Sequence, residues 1–122
     1  FGYSCDAELT AKTIRETFEK NGYLCDTHTA VGLACEKQYV NEHGGNKIIL
    51  ASTASPYKFA NDVYTALTGK VAKDELSALN ELSSYSNTEI PAPLCDIDKR
   101  EIRFTKTLNP EKMASDVLAF AE

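Results

Sequence analysis

The run Lys47–Ala51 constrains this chain most, because Ile48, Ile49 and Leu50 follow one another with no polar residue between them. Successive side chains of a strand point to opposite faces, so apolar residues at every position imply cover on both faces. That pattern suits a central strand of a parallel sheet, and both edges of such a strand need hydrogen-bonding neighbours. The other strand candidates are stubs, with Glu101–Phe104 read as a short edge strand. The 122 residues therefore specify a covered strand without supplying the sheet around it. The expected fold class is α/β, as the mostly helical fragment of a larger enzyme. The chain starts at Phe1 rather than Met, as expected of a segment from within a longer polypeptide.

Around that run the apolar spacing is helical. Ala7, Ala11, Ile14 and Phe18 recur at intervals of four, three and four over Asp6–Asn21, with Asn21-Gly22 as a left-handed stop. Asp26 caps a second helix reaching about Glu42, whose small residues Ala30, Gly32 and Ala34 allow close approach of a backbone or ligand. Ser55 as N-cap and Pro56 at the first position start a third helix that Gly69 ends. Beyond Gly69 come a helix capped by Asp74, a Pro-punctuated loop over Asn87–Asp98 and a last helix opened by Asn109-Pro110-Glu111.

Composition removes several function classes. The net charge is −5, and the basic residues are scattered apart from Lys99, Arg100 and Arg103, so no concentrated basic face offers itself to nucleic acid. The longest uncharged apolar run, Ile48–Ala51, is far short of the ~20 residues of a membrane helix. Neither nucleic acid nor membrane is an expected partner. Cys5, Cys25, Cys35 and Cys95 contain no Cys-x-x-Cys spacing, which disfavours zinc and suits free thiols in a reducing cytoplasm.

Two segments hold the residue types that do chemistry. Asp26-Thr27-His28-Thr29 packs a carboxylate, an imidazole and two hydroxyls into the first turn of a helix, where free N–H groups favour anions. Ser52-Thr53-Ala54-Ser55-Pro56-Tyr57-Lys58-Phe59 is a hydroxyl-rich turn after the carboxyl end of the expected strand, the place where open α/β sheets bind ligands. From composition and spacing alone, ordinary capping is the favoured reading of each segment. An alternative reading makes the chain a stand-alone α/β binding module with an anion site at the Ser52–Lys58 turn.

Taken together, in this order and about twenty-five residues apart, the two segments resemble one family. Tyr23-Leu24-Cys25-Asp26-Thr27-His28-Thr29-Ala30-Val31-Gly32 is similar to a Tyr-x-x-Asp-Pro-His-Thr-Ala-Val-Gly element, and Ser52–Phe59 to a Ser-Thr-Ala-[Ser/His]-Pro-x-Lys-Phe element. Both belong to threonine synthases of the microbial and fungal-type branch. The tail, with its Leu-rich helix and Ile90-Pro91-Ala92-Pro93-Leu94 loop, is similar to the family's C-terminus. Thr27 replaces the family's usual Pro, and Ser55 stands where some members carry His, which weakens any role for that side chain.

The resemblance implies the fold-type II class of pyridoxal-phosphate enzymes, which includes the tryptophan synthase β chain. Residues 1–69 would be the C-terminal portion of the cofactor-binding α/β domain and residues 70–122 a helical extension. The implied reaction converts O-phospho-L-homoserine and water into L-threonine and phosphate. The family's Schiff-base lysine, in a Ser-Phe-Lys-Asp context, lies upstream of the matched region, so Lys58 is not that lysine. The fragment is therefore expected to be catalytically silent and to bind no cofactor alone. Thr53 matches the position that hydrogen-bonds the cofactor's pyridine nitrogen. Lys58, His28 and Thr29 are expected at the substrate, Lys58 toward its phosphate. The implied partner is the N-terminal part of the same chain, and an isolated fragment is expected to pair with itself through the surface that part would cover.

Overall fold

The computed structural model describes residues 1–45 and 47–121, and among these five α-helices carry the fold. Helix α1 spans Ala7–Asn21, α2 Thr27–His43, α3 Ala60–Thr68, α4 Glu75–Ser86 and α5 Met113–Ala121. Their ends follow from local chemistry. The Asp6 carboxylate accepts the Leu9 N–H at 2.8 Å, and the Asp74 carboxylate accepts that of Ser77 at 2.7 Å. Gly22 and Gly69 close α1 and α3 at φ 65° and 73°, a left-handed conformation that glycine adopts without steric cost.

Helix α1 packs on α2 and α3, and α3 packs on α4. Ile14, Ala30, Val63 and Leu82 meet at the centre with at most 1% of their surface exposed. Ala60, Ala66 and Ala78 are also buried there, and their short side chains let the helix backbones approach closely. Polar ties reinforce the packing. Arg15 Nε donates to the Ala66 carbonyl at 2.9 Å, joining α1 to the last turn of α3. The Tyr57 hydroxyl reaches the Thr88 carbonyl at 2.9 Å, and Ser83 Oγ donates to that carbonyl at 2.7 Å.

The central parallel strand and the short edge strands are not formed. Among the described residues there is no strand or sheet, so the fold is helical rather than α/β. Residues 47–51 run as irregular chain, with Ile49 91% exposed and Leu50 laid over α2 at Gly32. The residues expected as an edge strand, Glu101–Phe104, are likewise irregular and exposed. A strand exists only through hydrogen bonds to a neighbour, and apolar patterning without that neighbour leaves the backbone free of a ladder. The mostly helical character expected of the chain is observed.

The third helix also departs from expectation. Residues Pro56–Phe59 form a 3₁₀ turn under the Ser55 cap, and the α-helix begins only at Ala60 because Phe59 sits at φ −126°, ψ 44°. Beyond the α4 region the chain leaves the core. Helix α5 buries none of its residues and packs mainly on its own leading turn, Pro110–Lys112. Lys106 pairs with Asp116 to hold this tail on itself, while Ile102, Phe104 and Phe120 stay exposed.

Candidate functional site

The site begins at Asp26, the N-cap of α2, whose side chain has no exposure to solvent. Its Oδ1 accepts the backbone N–H of His28 at 2.9 Å and that of Thr29 at 3.4 Å. Its Oδ2 accepts the Thr29 hydroxyl in a short hydrogen bond. Burial pushes the carboxyl pKa up, but the Thr29 hydroxyl, the two backbone N–H groups and the His28 ring together outweigh it and hold the group below the usual carboxylate range. Asp26 is therefore an anion sealed inside a shell of donors.

Thr29 carries the network outward. Its hydroxyl lies 2.9 Å from Ser52 Oγ, and Ser52 Oγ accepts the Tyr23 hydroxyl at 3.3 Å. The two segments singled out from the sequence thus meet, through Thr29 and Ser52. Thr53 follows Ser52 directly, is exposed, and among the described residues its hydroxyl has no hydrogen-bond partner. Asp26 and Ser52 fell within the segments singled out from the sequence, but neither they nor Tyr23 was assigned a cofactor or substrate contact. The Asp-x-x-Thr spacing at a helix start was the available signal, since it lets the third residue's hydroxyl donate back to the capping carboxylate.

His28 stands on the rim with its side chain 69% exposed. Its Nδ1 lies 3.3 Å from Asp26 Oδ1 and 3.4 Å from Thr27 Oγ1, and its ring lies 4.9 Å from that of Phe59. Lys58 Nζ sits 5.6 Å from the centre of the same Phe59 ring. His28 and Lys58 therefore border one aromatic side chain, whereas Thr53 joins the group only through its neighbour Ser52. An ionised Asp26 can only accept, so a hydrogen bond to it from neutral His28 would put the ring proton on Nδ1 and leave Nε2 as the acceptor. Ring-nitrogen NMR at about pH 8 is expected to show the Nδ1–H tautomer; an Nε2–H signal would remove the Asp26–His28 assignment.

The turn at Ser55 is already satisfied internally. Ser55 Oγ accepts the Tyr57 N–H at 3.3 Å and the Ser55 carbonyl accepts the Lys58 N–H at 3.0 Å, which takes two amides from the anion site of the alternative reading. A cleft of about 540 Å³ between α1, α2 and α3 touches His28 but not Thr29, Thr53 or Lys58. Its wall is largely apolar, with Ile14, Val31 and Ala66, so it is a separate feature from the hydroxyl turn. Cys25 is buried in the core, where burial raises its thiol pKa and makes it inert packing. Among the described residues no group of three or more His, Cys, Asp or Glu could hold a metal, and no helix is long and apolar enough to cross a membrane.

A buried carboxylate thus caps α2, a hydroxyl-bearing turn is tied to that helix's first turn, and the neighbouring Thr53 is exposed. Comparison with known proteins gives the chain its family. The family described as threonine synthase, C-terminal, matches residues 29–117. The threonine synthase of Saccharomyces cerevisiae (strain ATCC 204508 / S288c) is 31% identical over 117 residues, covering 88% of this chain and 22% of the yeast protein. The chain belongs to the threonine synthase C-terminal family. It spans about a fifth of the length of the curated relative it matches.

Proposed function

We propose that this chain forms one wall of the active site of a pyridoxal-phosphate-dependent lyase that converts O-phospho-L-homoserine and water into L-threonine and phosphate. The observation that carries the reading is the exposed Thr53 hydroxyl, which has no hydrogen-bond partner among the described residues, beside the tethered Ser52. A hydroxyl can hydrogen-bond the pyridine nitrogen of the cofactor, the contact that the family resemblance assigns to this position. The phosphate cradle and the Schiff-base lysine belong to the part of the enzyme upstream. When bound, pyridoxal phosphate supplies the electron sink for the reaction. A hydroxyl, unlike a carboxylate, does not hold the ring nitrogen protonated, so Thr53 would temper that sink.

The remaining residues act by binding and orientation. Lys58 is exposed and would meet a substrate phosphate, and the Phe59 ring flanks its ammonium. His28 Nε2 and the Thr29 side of the turn would line the same pocket. Residues 1–69 are read as part of the cofactor-binding domain and residues 70–122 as its C-terminal extension, working in the cytoplasm with the upstream part of the enzyme as partner. The apolar tail residues Ile102, Phe104 and Phe120 would face that part, and an isolated copy is expected to self-associate through them.

Thr53→Val in the intact enzyme tests the reading. Activity is expected to fall at least about tenfold, the cost of roughly 1.4 kcal/mol, with an altered cofactor absorbance band. Normal activity and an unchanged spectrum would remove Thr53 from the ring nitrogen. The chain alone, mixed with pyridoxal phosphate and reduced with borohydride, should show only slow, scattered lysine labelling by intact mass. Stoichiometric trapping at one lysine would mean that this chain holds its own cofactor site.

A further inference from the structure

We propose that Asp26 is a positioning residue, which locks the turn bearing Thr53 onto α2 through a one-way relay of hydroxyls, Tyr23 to Ser52 to Thr29 to Asp26. The geometry fixes the direction of every proton. A carboxylate that already accepts two backbone N–H groups is an acceptor only, so the single Thr29 hydroxyl proton points at Asp26 Oδ2. Thr29 Oγ1 must then accept, and the group 2.9 Å away that can donate to it is the Ser52 hydroxyl. Having given its proton inward, Ser52 Oγ accepts from Tyr23, as its 3.3 Å contact with the Tyr23 hydroxyl requires. Each hydroxyl is polarised in the same sense by the buried charge, and such chains strengthen cooperatively.

On its C-terminal side the turn is anchored by Tyr57, which is buried in the core and hydrogen-bonded to Thr88, but the stretch that leads into Thr53 has few ties. Residues 47–54 have no regular structure, and among the described residues their backbone N–H groups make no hydrogen bonds. Apart from Leu50 lying over Gly32, the Ser52 hydroxyl is the tie between this segment and α2. The importance of that tie for catalysis rests on the reading of Thr53 given above, but the relay itself does not.

Backbone ¹⁵N relaxation of the whole chain without cofactor tests it. Order parameters at Ser52 and Thr53 are expected near about 0.85 and should fall below about 0.6 in Thr29→Val, which keeps the shape and removes the hydroxyl. Thr29→Ser, which restores the hydroxyl, should restore rigidity; a loss of packing alone would not be rescued in this way. Unchanged order parameters in a folded Thr29→Val chain would overturn the proposal. If Thr29→Val does not fold, Ser52→Ala cuts the same relay at an exposed position. Mobile Thr53 in that variant supports the relay, and rigid Thr53 overturns it. Because no cofactor is present, these outcomes are separate from those of Thr53→Val in the intact enzyme.

Discussion

Truncating Leu82 to alanine is expected to destabilise the chain by about 2–5 kcal/mol, the range for a buried leucine whose cavity only partly collapses. Leu82 has no exposed surface and projects from α4 into the cluster that holds Val63 and Ala66 of α3. Helix α4 is short, with twelve residues, and isolated helices of that length are marginal in water. Its stability therefore comes from packing on α3, and removing the largest fully buried side chain of the α4 face weakens both helices. Total stabilities of natural domains are about 5–15 kcal/mol, so a loss of this size is a large fraction of the whole. Urea unfolding would show it as a lower midpoint with a similar slope. Leu76 on the same helix is 43% exposed, and Leu76→Ala should change stability by only a few tenths to about 1 kcal/mol. Equal losses at the two positions would mean that α4 does not pack as described.

Replacing Asp26 by alanine is expected to cost about 2–4 kcal/mol. One part is the lost N-cap of α2, typically about 1 kcal/mol. The larger part is the desolvated Thr29 hydroxyl and the amides of His28 and Thr29, which lose a charged acceptor worth about 1.5–3 kcal/mol. The cost should depend on pH in a defined direction. The folded-state pKa of Asp26 is depressed, so its stabilisation is fully present above the unfolded value of about 3.9 and is lost as pH falls through the folded value. The gap between wild type and Asp26→Ala should therefore be constant near neutrality and narrow below about pH 4. Glu16, beside Lys20, and Asp74, at the cap of α4, are also held low, so wild type and variant share their acid response. Only the difference between the two curves reports Asp26. A gap that widened on acidification would show that the buried carboxyl is neutral in the folded chain.

Much of the helical frame was legible because its punctuation is local. Asp6, Asp26 and Asp74 cap helices through contacts two or three residues away, and Gly22 and Gly69 end them through their own backbone freedom. The paired segments around His28 and Thr53 likewise carried the family, since their order and residue types depend on no partner. Tertiary structure alone decided the fate of Ile48–Ile49–Leu50. Their apolar run requires cover, but whether cover arrives as a sheet depends on a neighbouring strand, and among the described residues none is present. The importance of Asp26 was hidden for a related reason. As a cap it looks like any other, and its role at the head of the Thr29–Ser52 relay exists only once the chain folds back across 23 residues to bring Ser52 onto α2.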